Sequence, residues 1–75
     1  MFTVRDVNTG EFLFWVPETE TFIFSRSRMT VKEDYETISQ YIQCATEGYP
    51  EAVAGRALGI YDVGISFSPS AVYHV

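Results

Sequence analysis

The stretch EFLFWVPETETFIF, residues 11–24, holds two strand-like runs that are apolar on both alternating faces. Successive side chains of a strand point to opposite sides of the sheet. Phe12, Phe14 and Val16 therefore share one side, Leu13 and Trp15 the other, and in the second run Phe22 and Phe24 oppose Ile23. An antiparallel sheet in a small domain ordinarily buries one face and wets the other. A chain carrying this hairpin must cover both faces itself or offer one to a partner.

The flanking sequence supplies the rest of a sheet. FTVRDV, residues 2–7, reads as a first strand with Phe2 and Val4 on one face, and Gly10 in the following NTG suits the left-handed position of a short bulged hairpin. Pro17 fixes φ in the turn PETE before the third strand TFIFS. Strands one to three are expected to form an antiparallel meander. A long helix is expected from Thr30 to Glu47. Thr30 and Glu33 match a capping box, Glu33 and Asp34 suit the positive end of the helix dipole, and Val31, Tyr35, Ile38, Ile42 and Ala45 form one stripe. Gly48 is placed as a left-handed stop ahead of Pro50, which can open a short helix over PEAVAGRAL that ends at Gly59.

GIYDVGISFS alternates, with Tyr61, Val63, Ile65 and Phe67 on the expected buried face and Asp62, Gly64 and Ser66 on the polar one. SAVYHV, after Pro69, reads as a last short strand or a packed tail. The expected fold is α+β: a three-strand antiparallel meander plus a late strand, with one long and one short helix on one face, in the order β-β-β-α-α-β(-β). On this assignment the helices cover Phe12, Phe14, Phe22, Phe24 and the Tyr61 side. Leu13, Trp15 and Ile23 are left on the uncovered side, unless AVYHV or Gly64 shelters them. An exposed apolar patch of that kind marks an interaction site.

Seventy-five residues read as a single domain, 1–75, near the lower size limit for one core. Six Phe, five Tyr and one Trp supply the apolar area, and Cys44, the only cysteine, allows no internal disulfide. With no secretory h-region in MFTVRDVNTGEF and no run long enough to span a bilayer, a lone cysteine points to a reducing, cytoplasmic setting. A net charge of −5 argues against direct contact with nucleic acid or an anionic membrane. It suits a basic partner surface, such as that of a nucleic-acid-binding protein.

The residue types of catalysis are sparse. His74 is the single histidine, and Cys44, in the last turns of the long helix, is expected to be a buried, inert thiol. One His and one Cys make no zinc set, and the serines at 25, 27, 39, 66, 68 and 70 lie outside any G-x-S-x-G elbow. Glu18 and Glu20 sit in a turn and Glu33, Asp34 and Glu36 on an expected exposed helix face, solvated rather than paired for acid–base work. SRSR, residues 25–28, is the one basic cluster; Arg26 and Arg28 could grip an anion or pair with the acids of the first helical turn. No cofactor or metal is implied, and an enzyme is not expected. The sequence suggests an acidic protein-binding module, a regulator or inhibitor of the kind viruses direct at host proteins, that masks a surface on a larger partner. Leu13, Trp15 and Ile23 would form its apolar contact and Glu33, Asp34 and Glu36 its charged one. The alternative is a homo-oligomer paired across a two-fold axis through the Leu13, Trp15 and Ile23 face.

Overall fold

The computed structural model describes residues 1–28, 33–64 and 68–75. Its elements are β1 (Phe2–Asp6), β2 (Phe12–Val16), β3 (Thr21–Ser25), α1 (Tyr35–Gly48), α2 (Pro50–Val53), β4 (Ala57–Asp62) and β5 (Ala71–His74). The strands form one five-stranded antiparallel sheet in the order β3-β2-β1-β4-β5, so the fold is α+β as the sequence implies. Among the described residues no helix is long and apolar enough to cross a membrane.

The turns follow from local chemistry. Asp6 Oδ1 accepts hydrogen bonds from the N–H groups of Asn8 (2.8 Å) and Thr9 (3.3 Å), and Gly10 adopts φ +77°, which closes the β1–β2 hairpin. Glu20 takes the left-handed position, φ 51°, in the turn between β2 and β3. Helices α1 and α2 lie on one side of the sheet. Ile38, Ile42, Ala45 and Val53 meet Val4, Leu13, Phe22, Leu58 and Ile60 in a single buried cluster. α1 packs chiefly over β1 and β4, and α2 touches β3.

Several boundaries and faces differ from expectation. The helix begins at Tyr35, not in the neighbourhood of Thr30. Asp34 is its cap, accepting from the Thr37 N–H at 2.8 Å. Glu33 lies outside the helix because it is bridged to β1, exchanging backbone bonds with Phe2 of 2.8 and 3.2 Å. Thr30 and Val31 fall outside the described residues. Gly48 is the last helical residue and has no positive φ; the Tyr49 N–H closes the end on the Ala45 carbonyl.

The short helix stops at Val53, where Gly55 at φ +75° reverses the chain, and Ala57 and Leu58 belong to a strand. Both residues favour helices, but pairing between β1 and β5 decides the outcome. Within β4 the buried face is also the opposite one. Leu58 and Ile60 point to the helices, whereas Tyr61 pairs with Thr3 on the outer side and Val63 is exposed. Ile65 and Phe67 lie outside the described residues.

The hairpin faces are corrected in the same way. Leu13 pairs with Phe24 and Trp15 with Phe22, all toward the helices, while Phe14 pairs with Ile23 and Phe12 with Ser25 on the outer side. Leu13 is fully buried and belongs to the core, not to an uncovered patch.

Candidate binding groove

Because α1 sits over β1 and β4, the helix layer reaches the β2–β3 hairpin only along one side, and a groove opens there. The cross-strand pair Trp15 and Phe22 forms its floor; Tyr41 and Cys44 of α1 and Tyr49 at the end of that helix form its walls. The groove has a volume of about 360 Å³. Its rings meet edge to face, with centroids 4.9 Å apart for Trp15 and Phe22 and 5.2 to 5.3 Å for Phe22–Tyr49, Trp15–Tyr49 and Phe22–Tyr41. That is the spacing aromatic quadrupoles prefer. Burial pushes the Tyr41 hydroxyl up to about 12, against a backbone hydrogen bond at Trp15 that pulls the other way. Cys44 is exposed and lines this groove, which corrects its expected burial.

The candidate residues do not form one surface. Leu13 is core, Trp15 is half-buried in the groove, and Ile23 is 37% exposed on the outer side of the sheet. Glu33, Asp34 and Glu36 gather at the start of α1, all exposed. Hydrogen bonds from the Thr37 hydroxyl and N–H hold the Asp34 carboxyl below its ordinary range. Register divides them: Leu13 and Trp15 pair with Phe24 and Phe22 on one side of the sheet, and Ile23 pairs with Phe14 on the other.

On the outer side, arginines lie across half-buried rings. The Arg5 guanidinium is 5.0 Å from the Phe12 centroid and 5.3 Å from that of Tyr61, and Arg28 is 5.4 Å from that of Phe14. Ser25 Oγ accepts from the N–H groups of Ser27 and Arg28, which turns the SRSR segment so that Arg28 reaches its ring.

One cluster had no signal in the sequence. Arg56 Nη1 donates to Glu11 Oε1 at 2.8 Å and to Asp6 Oδ2 at 3.1 Å, and its guanidinium lies 3.9 Å from the Phe24 centroid. Burial pushes the Asp6 carboxyl up, but N–H bonds from Asn8 and Thr9 together with Arg56 outweigh it, and its pKa is lowered. The Arg56 hydrogen bond lowers Glu11 in turn. These charges fasten the first hairpin to the start of β4 and are structural.

His74 lines a second groove, of about 430 Å³, between α1 and β5 with Ser39, Gln43 and Tyr73. The single imidazole and the single thiol are thus in different grooves. Among the described residues no His, Cys, Asp and Glu side chains gather to hold a metal. Comparison with protein-family models, with curated proteins and with solved structures gives no match in any of the three.

Proposed function

We propose that this chain is a small, non-catalytic protein-binding module of the cytoplasm that regulates or inhibits a larger partner by masking part of its surface. The observation that carries this is the groove beside the hairpin, where Trp15, Tyr41 and Tyr49 stay half-buried around Phe22. Trp and Tyr are enriched among the residues that dominate binding energy once a partner desolvates them fully. An exposed, unpaired Cys44 suits a reducing compartment. Keeping His74 and Cys44 apart removes the obvious nucleophile–base pair.

Cys44 also supplies the test. A photo-crosslinker attached to its thiol should capture a partner from host extract, and excess unlabelled chain should compete the product away. The same probe on an Ile23→Cys, Cys44→Ser variant, on the other side of the sheet, should not capture it. Equal capture from both positions would sink the groove as the contact surface.

A second reading is favoured by the outer side, where Ile23 stands exposed beside Phe14. In that reading two copies pair through the outer face of the hairpin, and the Ile23→Cys probe crosslinks one copy to another. Sedimentation of the dilute chain separates the two.

A further inference from the structure

Elsewhere on this sheet, four half-buried aromatic rings carry the chain's own arginines: Phe12 and Tyr61 carry Arg5, Phe14 carries Arg28 and Phe24 carries Arg56. The groove rings carry none. Trp15, Phe22, Tyr41 and Tyr49 contact one another, and no described arginine lies over any of them. The charge around the groove is one-sided. Glu47 is one helical turn beyond Cys44, Glu51 lines the adjoining cleft with Tyr49, and Glu18 and Glu20 stand in the turn just past the Trp15–Phe22 pair. The ion pairs among the described residues engage Asp6 and Glu11, and no described cation pairs with these four glutamates.

From this we infer that the groove receives an arginine side chain presented by a protein partner. A guanidinium is planar and weakly hydrated, and it stacks on aromatic faces. The surrounding carboxylates attract it from solution and compensate its charge as the rings desolvate it. The partner residue would take the place that Arg5, Arg28 and Arg56 take on the other rings. The inference rests on the groove being the docking surface and adds what it grips.

Trp15 is the only tryptophan, so its emission reports the site directly. The probe is the blocked tripeptide Gly-Arg-Gly, set against the same peptide with neutral citrulline or with norleucine, and followed by Trp15 emission and backbone amide shifts. The arginine peptide should saturate, and both neutral peptides should bind about tenfold more weakly. Replacing exposed acids, Glu47→Gln with Glu51→Gln, should weaken the arginine peptide and leave norleucine unchanged. Tyr49→Leu should erase the preference. Norleucine binding as tightly as arginine would overturn the cationic occupant yet leave the groove as an apolar docking site. If no peptide titrates, the inference is overturned, and if the Cys44 crosslinker also captures nothing, the proposed function falls with it.

Discussion

β2 and β4 hold equivalent places in the sheet, each one strand in from an edge, and both are apolar. β4 buries every residue from Ala57 to Ile60, whereas β2 buries Leu13 alone. The difference lies in what each strand turns outward. β4 shows Ala57 and Gly59, small enough for Val7, Tyr61 and Pro69 to close over Gly59. β2 shows Phe12, Phe14 and Val16, and the only described side chains stacked across Phe12 and Phe14 are Arg5 and Arg28. On the other side, α1 lies chiefly over β1 and β4; Leu13 reaches the core it shares with them, while Trp15, at the far end of β2, stays half-buried. Similar hydrophobicity thus becomes core in one strand and half-open surface in the other. The size of the outward residues and the helix position decide which.

The largest effect expected is on the residues that share the core. Leu58→Ala and Leu13→Ala should each cost about 2–5 kcal/mol in urea unfolding, because both side chains are fully buried. A Leu13→Ala variant losing less than about 1 kcal/mol would break the comparison, since β2 would then contribute no core residue at all. Asp6→Ala follows, at about 1–3 kcal/mol, because it removes one of the two carboxylates that hold Arg56 and frees two turn N–H groups.

The same cluster fixes the acid limb. The folded pKa values of Asp6 and Glu11 lie below their unfolded ones, so the unfolded chain binds protons first as pH falls. Stability should be level above the ordinary carboxylate range, drop below about pH 4.5, and drop less steeply in Asp6→Asn.

Gly59→Val probes the covered strand from its outer side. A Cβ there would stand 2.8 Å from Tyr61 Cε1 and 2.9 Å from Val7 Cγ2, so a loss of about 1–3 kcal/mol is expected. If Val is tolerated, the cover over β4 is loose and the contrast with β2 shrinks. In the groove, Tyr41 has a raised pKa, so its contribution is present below pH 10 and lost toward pH 12. Tyr41→Phe should remove that alkaline limb, as read by melting temperature across the range. Smallest of all, Ile23→Thr should change stability by about 0.5 kcal/mol or less, because its side chain is exposed and threonine keeps the branched Cβ. Should it shift sedimentation, the outer face is a self-association surface.

The three meander strands and α1 from Tyr35 to Glu47 were legible, and the final strand was one of two readings of SAVYHV, because turn residues and spacing are local information. What was not legible depended on partners distant in sequence. Alternation divides Leu13 and Trp15 from Phe12 and Phe14, but with both sets apolar it does not say which set meets the helix. That is set by pairing with Phe22 and Phe24 and by where α1 lies. Thr30 and Glu33 resemble a cap in sequence, yet Phe2 holds Glu33 in an extended bridge. Ala57 and Leu58 read as helix until β1 claims them. Of the candidate surface residues, Trp15 reached the groove. Tyr41 lay inside the expected helix and Tyr49 just past its stop, with nothing local to single them out, and their convergence on Trp15 is a tertiary fact.

β1 is first in the chain and central in the sheet, with Phe2 facing Asp62 across the β1–β4 ladder. That pairing gives folding a temporal order. The β1–β2–β3 meander closes through short loops and can form early, whereas docking β4 must close nearly the whole chain, a slow search for a small domain. Until it is finished, one edge of β1 is unpaired and open to intermolecular strand addition. The hairpin that carries Trp15 and Phe22 is thus quick to assemble, while the joint that makes it permanent is slow. A substitution that weakens the β1–β4 joint, such as Val4→Ala, should therefore reach the cell as aggregation during folding before it shows as any loss in the mature groove.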